Sequence, residues 1–381
     1  MSILFVASLL LLALPVVAQD ETSEDLEEIN MFLTFVPNVQ FAPVYLMEPY
    51  LNELGYTMTI QHGDEPVGVD LIANGSADAG MISGEQVLLS RAGGRPVVFV
   101  YEWFQEYPVG VVIPETTGTT TIEGLEGKRV GLPGRFGASY SGLTALLNAN
   151  GLTEDDVTLE AIGFAAPDVV CSGSTVDAAT VYINNEPLQI QTRILAGECG
   201  DITSFAVVPV SAYVDMVSNG IVTSEAMIEN EPEKVQALVA AFDAALREVI
   251  NNPARAYLAS LDYVENLPIT DDFRAALEAA AEAQDAFLAT APEREAIEQS
   301  RFDLQEAITE QFGPELVIQL RVMLYTIRFW DAERLGFTDP ESWLATRDVL
   351  DSMDALVSPL ADEALEAAYT NAFLSEAPGA E

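Results

Sequence analysis

The sequence predicts an α/β protein of two lobes followed by a helical C-terminal third. Three observations carry this reading. Strand-like and helix-like runs alternate from about residue 29 to residue 208, the alternation starts afresh after a Gly/Thr loop that follows residue 115, and from about Pro232 the apolar spacing is helical throughout. A chain of 381 residues is long enough for two such domains.

In order, an acidic connector, "QDETSEDLEE" (residues 19–28), precedes "INMFLTFVPN", which reads as a strand, and Pro43 to Leu54, which reads as a helix. "YTMTIQHG" alternates with period two as a half-buried strand does, and Val67 to Asn74 is a short helix. "ADAGMIS" is a strand, "GEQVLLSRAGG" a helix stopped by glycine, and "PVVFVYEWF" and "VGVVIPE" (109–115) are strands. The second series runs "KRVGLPG", a helix from about Ser139 to Asn150, "VTLEAIG", a helix, "AATVYI", a helix from Leu188 to Ala196, and "ITSFAVV". Such alternation predicts parallel sheets, whose ligands sit outside the carboxyl ends of the strands. "PEKVQALVAAFDAALREVINN", "DDFRAALEAAAEAQDAFLAT" and residues 292–356 supply the helical third. No repeat of 20–50 residues is present, which excludes a solenoid.

Residues 1–18, "MSILFVASLLLLALPVVA", read as a signal peptide with an apolar stretch from Ile3 to Ala18 and a small-residue cleavage site at Val16-Val17-Ala18. No Lys or Arg precedes the apolar stretch, and no cysteine near the cleavage point supports a lipid anchor. The segment is short for a membrane span, so the mature protein is expected to be soluble and extracytoplasmic, periplasmic or secreted.

Sixty acidic residues against 16 basic ones give a formal net charge of −44, and Lys128 and Lys234 are the only lysines. Phosphate contacts need clustered Lys and Arg, so nucleic acid is excluded as a partner. The charge reads first as a highly solvated surface, with selection against anionic ligands as the functional alternative. Cys171 and Cys199 are the only cysteines. They flank a βα unit whose two connections share one sheet edge, so a disulfide is expected in an oxidising compartment, with two buried thiols as the alternative. Two cysteines and the single histidine, His62, do not make a metal ligand set.

Between two apolar runs lies "GLPGRFGASYSGL" (131–143), with four glycines at a strand-to-helix turn. Such turns bring backbone N–H groups and a helix N-terminus up to a ligand, although the spacing matches neither G-x-x-x-x-G-K-[ST] nor G-x-G-x-x-G. The plainer reading is a tight turn requiring positive φ. The turn is one of five polar and aromatic clusters that fall at carboxyl ends of predicted strands: "VPNVQF" (36–41), "SGEQ" (83–86), "WFQEYP" (103–108), "RFGASY" (135–140) and "NNEP" (184–187). Asn38, Gln86, Ser139, Asn185 and Glu186 offer hydrogen bonds, and Phe41, Trp103, Tyr107, Phe136 and Tyr140 offer flat rings. This mixture suits a planar heteroaromatic ligand, stacked on its faces and read at its edge. Each group also has a bland reading. Trp103 and Tyr45 would serve as core, Glu85 and Glu186 as first-turn helix acids, Asn38 as a turn residue and His62 as surface.

"FVPNVQFAPVY", "ADAGMISGEQVLL", "GKRVGLPGRFGASYSGL", "YINNEP" and "AAYTNAFL" together resemble the extracytoplasmic solute-binding proteins of ABC importers, in the branch related to the thiamine-pyrimidine synthases and nearest its riboflavin-binding importer components. The resemblance spans about residues 30–375. It implies a type II periplasmic-binding-protein fold with two crossovers. Lobe one would take residues 29–112 and 208–381 with the C-terminal helices, lobe two residues 113–207, and "VGVVIPE" and "SNGIVTSEAMI" would lie near the hinge. It further implies a monomer that closes on a small-molecule ligand and docks on a membrane permease. Riboflavin would be cargo, and no cofactor is expected.

Departures from the branch pattern direct the ligand choice. Pyrimidine binders and synthases typically carry a His shortly after their "PN", where this chain has Phe41. The synthases' cysteine-rich motif is missing, and neither lysine sits by a candidate site, so no enzyme activity is expected. The ring area favours a tricyclic flavin over a thiamine-precursor pyrimidine (hydroxymethyl- or formylamino-), which is the alternative. The acidic background favours the uncharged vitamin over its phosphate, with Arg135 as the one local group that would reverse this. From other classes, an enzyme with Glu85 or Glu186 as general base and an adhesive surface protein without a cleft have no comparable signal.

Overall fold

The computed structural model describes residues 26–375, so the predicted signal peptide and most of the acidic connector lie outside the described residues. Glu27 and Glu28, read from sequence as the end of that connector, already pair with Tyr56 and Thr57 in a parallel ladder.

The first lobe is built from β1 (Glu27–Thr34), α1 (Ala42–Tyr45), α2 (Glu48–Glu53), β2 (Tyr56–Gly63), α3 (Glu65–Ala73), β3 (Ala79–Ser83), α4 (Gly84–Ala92) and β4 (Val97–Glu102). The chain then crosses to the second lobe. There it forms β5 (Val109–Pro114), β6 (Arg129–Leu132), α5 (Gly137–Ala149), β7 (Thr158–Ala161), α6 (Ala166–Ser172), β8 (Ala178–Tyr182), α7 (Glu186–Leu195) and β9 (Phe205–Pro209). It returns as β10 (Asn219–Ser224), giving sheet orders β2-β1-β3-β10-β4 and β7-β6-β8-β5-β9.

Both sheets are mixed, a correction to the all-parallel expectation. β10 runs antiparallel to β3 and β4, and β5 antiparallel to β8 and β9. The reason is topological. A strand arriving after a helix starts at the far edge and runs toward the cleft, whereas β5 and β10 come straight from the other lobe, start at the cleft edge and run away from it.

The C-terminal region forms α8 (Glu225–Asn230), α9 (Pro232–Asn251), α10 (Pro253–Ser260), α11 (Asp271–Leu288), α12 (Arg294–Phe312), α13 (Ile318–Trp330), α14 (Pro340–Ser352) and α15 (Asp362–Glu366). These helices cover the first sheet on both faces. Phe242, Tyr257 and Trp330 join Met31, Met81 and Tyr101 in one core, while Trp343 and Leu350 of α14 pack with Phe32, Leu88 and Phe99 on the other side. The second lobe closes its own core around Val111, Leu132, Leu143 and Leu146. Apolar burial of this kind supplies the main stabilisation of both lobes.

Cys171, in α6, and Cys199, after α7, form a disulfide and are both buried beside Val170, Val181 and Ile190. The bond ties α6 to the exit of α7 across a sequence separation of 28. Closing a loop of that length restricts the unfolded chain by about 2–4 kcal/mol. The double variant Cys171→Ser/Cys199→Ser should therefore lose about 2–4 kcal/mol in denaturant unfolding; an unchanged midpoint would show that the bond adds nothing to the second lobe.

Candidate functional site

The strand ends of the two sheets face each other across a cleft enclosing about 910 Å³, its open mouth included. From the first lobe come Thr34 at the end of β1 and Phe35 after it, Gln40 and Phe41, Gly63 and Glu65 around the start of α3, Trp103 and Phe104 after β4, and Asn219 at the start of β10. From the second come Pro133 and the residues from Phe136 to Ser139, Gly163 and Phe164 after β7, and Thr180, Tyr182, Asn185 and Glu186 around β8 and α7.

Aromatic side chains set the cleft's apolar character. Phe41 lies 5.8 Å from Trp103, which stacks on Trp330 of α13 at 5.3 Å, and Phe104 packs edge-on to Trp103 at 4.7 Å. The indole N–H of Trp103 is buried and meets no acceptor among the described residues. Across the mouth, Phe35 meets Phe164 edge-to-face at 4.6 Å. Phe35 holds φ at +103°, a conformation that bulky residues rarely adopt, while its N–H donates to Gly63 O. Phe136 projects from the second lobe, with its ring in the space that a Cβ at Gly134 would fill.

The lobes are joined by polar contacts. Glu65, only 6% exposed, accepts from Ser83 N at 2.7 Å and from Ser83 Oγ at 2.6 Å within its own lobe, and from Ala138 N of α5 at 3.0 Å across the cleft. Gly137, at φ +67°, makes room for this reach, since a Cβ there would come within 2.7 Å of Glu65 Oε2. Gln86 donates to Ser141 Oγ at 3.2 Å, Asn184 to Gln40 Oε1 at 2.8 Å and to Thr326 Oγ1 at 2.9 Å, and Tyr182 to Asn219 Oδ1 at 3.1 Å. The two lobes therefore meet beside the cleft.

Ser83 Oγ also lies 2.6 Å from Glu85 Oε1. A hydroxyl carries one proton and cannot donate to two carboxylates. One carboxyl therefore keeps its own proton and donates it to Ser83. Glu65, with donors on both oxygens, is the ionised member, and Glu85, whose Oε2 meets no donor, is the acid. Burial, then the charge of Glu65, pushes Glu85 up to about 8. Burial also raises Glu65 against its three donors. Glu186, at the start of α7, accepts from Tyr182 N at 2.8 Å, and burial lifts it to about 7.

Phe41, Trp103, Phe136, Ser139, Asn185 and Glu186, singled out in the sequence, line this cleft. Four other candidates do not. Asn38 caps the short turn before α1 by accepting from Gln40 N, and Gln86 is spent on Ser141 and Glu85. Tyr107 is buried and donates to Ala138 O, while Tyr140 bonds to Glu154, which also holds Arg135 on the outer face. His62 is half-buried and packs edge-on to Phe41 at 5.6 Å, which differs from the expected surface position. Tyr45 is buried, as its bland reading had it. Sequence reasoning missed Phe35, Glu65, Phe164 and Asn219, while Gln40 and Phe104 lay in the chosen clusters 36–41 and 103–108 without being singled out. Glu65 followed a predicted strand as closely as the chosen clusters did, and that position was the available signal.

A family profile described as "NMT1/THI5 like" matches residues 38–256, more than half of the chain, so the protein belongs to the NMT1/THI5-like family. A protein of Chloroflexus aurantiacus named riboflavin-binding protein RibY is 27% identical over 92% of this chain and 86% of its own length. A 4-amino-5-hydroxymethyl-2-methylpyrimidine phosphate synthase of Aspergillus parasiticus is 26% identical over 60% of this chain and 67% of its own. Among solved structures, the alkanesulfonate-binding protein SsuA of Xanthomonas axonopodis pv. citri superposes with a TM-score of 0.58 at 12% identity, covering 90% of this chain and 98% of that one. The fold is that of the periplasmic binding proteins, as found in solute-binding components of ABC importers.

The shared proton generates a pH signature. The folded protein holds it on Glu85 up to about pH 8, whereas the ordinary carboxyl releases it near 4.5. Folding thus takes up a proton in that window, and stability falls as pH rises through it, by at most about 1.4 kcal/mol per pH unit from this group. Glu85→Gln, a neutral mimic of the acid, should match the wild type near pH 4.5 and exceed it in melting temperature at pH 8. A difference independent of pH would place the proton elsewhere.

Proposed function

We propose that this member of the NMT1/THI5-like family is the extracytoplasmic solute-binding component of an ABC importer, and that it captures riboflavin between its lobes for delivery to a membrane permease. The observation that carries the reading is the likeness to a protein named as riboflavin-binding, which runs through both lobes and the C-terminal helices. The cleft's composition supports it. Phe35, Phe41, Trp103, Phe104, Phe136 and Phe164 supply the apolar faces that a tricyclic ring needs. Trp103 N–H, Asn185 and Asn219 are polar groups for its edge and its hydroxyl chain. Riboflavin is cargo in this account, and closure is a population shift driven by contacts made in the closed form alone.

A thiamine-precursor pyrimidine is the second reading, favoured by the relatives named as pyrimidine phosphate synthases and by the buried carboxyls of Glu65 and Glu186, which suit an aminopyrimidine edge. The binding reading is preferred to a synthase because the relative named as riboflavin-binding covers 92% of this chain and the Aspergillus parasiticus synthase 60%; Lys234, one of the two lysines, is engaged by Glu27, Asp78 and Glu231.

Titration with riboflavin, followed by its own fluorescence, should show saturable quenching at one-to-one stoichiometry. Phe164→Ala, at a position 39% exposed, should weaken binding about tenfold, a loss of about 1.4 kcal/mol, with little change in melting temperature. Absence of quenching at micromolar protein would remove the flavin and move the test to pyrimidines, read by ligand-dependent melting.

A further inference from the structure

Among the described residues, the cleft is lined by two carboxyl groups and no cation. Glu65 and Glu186 are both more than nine-tenths buried, one on each lobe, and no Lys, Arg or His is among the lining residues. Arg135, the one cation that the sequence places beside the site, is paired with Glu154 away from the cleft. The glycine-rich turn at the start of α5 is where a phosphate would ordinarily be received, because a helix N-terminus offers N–H donors and partial positive charge. Here the protein supplies its own anion. Glu65 Oε2 takes the Ala138 N–H at 3.0 Å, through the gap that Gly137 leaves.

We infer that Glu65 and Glu186 are specificity-determining residues that make the cleft select the unphosphorylated form of its ligand and reject the phosphate ester. This deepens the flavin reading above and rests on it for the choice of probe. A phosphate monoester brings a charge of about −1.5 to −2 at pH 7. Inside the cleft that charge would face Glu65 and, near neutrality, a partly ionised Glu186, with no cation among the described lining residues to offset either. Taking the Ala138 N–H for itself, the phosphate would also have to displace Glu65 and leave a buried carboxylate short of a donor. An uncharged ligand meets none of these costs, and its ring N–H and hydroxyl groups find acceptors in the same two carboxyls. Negative charge inside the site is thus a device for discrimination, distinct from the acidic outer surface.

The test is a pair of fluorescence titrations, with riboflavin and with riboflavin 5′-phosphate, on the wild type, Glu65→Gln and Glu186→Gln. The wild type should bind riboflavin at least tenfold more tightly than its phosphate. Each variant should shrink that ratio at least threefold, chiefly by tightening the phosphate. Equal affinities in the wild type, or a ratio unchanged in the folded variants, would overturn the inference while leaving riboflavin binding intact. Should Glu65→Gln fail to fold, the wild-type ratio and Glu186→Gln decide the matter. If neither flavin binds, the flavin reading fails on its own. The same comparison by calorimetry, with hydroxymethylpyrimidine and its phosphate ester, then tests the charge inference: a tenfold preference for the unphosphorylated compound supports it, and equal or reversed affinities overturn it.

Discussion

A single carboxylate crossing between the lobes organises the cleft. Glu65 starts α3 at the edge of the first sheet and ends on the first turn of α5 in the second lobe. Its burial at that junction requires donors, and Ser83 and Ala138 provide three. It also requires a glycine at 137, because any side chain there would occupy the path of the carboxylate. By drawing the Ser83 hydroxyl proton toward itself, Glu65 leaves Glu85 to stay protonated. Closure, the local backbone and the protonation state of the junction are therefore one arrangement.

Topology determines where that arrangement falls. Because the chain crosses twice, the strands that begin at the crossings run opposite to their neighbours, and their starts join the carboxyl ends of the other strands at one edge of each sheet. Asn219 reaches the cleft as the first residue of β10 for this reason. The C-terminal helices act on the site as well. Trp330 of α13 backs Trp103, and Thr326 of the same helix receives Asn184 from the second lobe. Opening would break this bond along with those of Glu65 and Gln86, so these contacts favour the closed arrangement and a bound ligand would add to them.

The strand–helix alternation, the helical third and the disulfide partners were legible in the sequence because periodicity and residue type are local signals. Strand direction was not, since it depends on which lobe the chain has just left. Within the site, Phe41, Trp103, Phe136 and Glu186 were readable as groups following strands. Gln86 and Tyr107 satisfied the same rule, yet they face the interlobe packing, and their hydrogen bonds are consumed by Ser141 and Ala138. A strand end specifies an edge of the sheet but not the direction of each side chain. Phe35 escaped notice because its φ of +103° is a tertiary property. Glu65 escaped because a first-turn acid looks the same in sequence whether it faces water or spans a cleft.

In the proposed function, ligand capture and lobe closure are one event. Small-angle scattering of the protein, without ligand and then at a riboflavin concentration that saturates its fluorescence response, tests this most directly. A smaller radius of gyration is expected with riboflavin, and a larger ligand-free radius for Glu65→Ala than for the wild type. Saturated binding with superimposable scattering curves would contradict it.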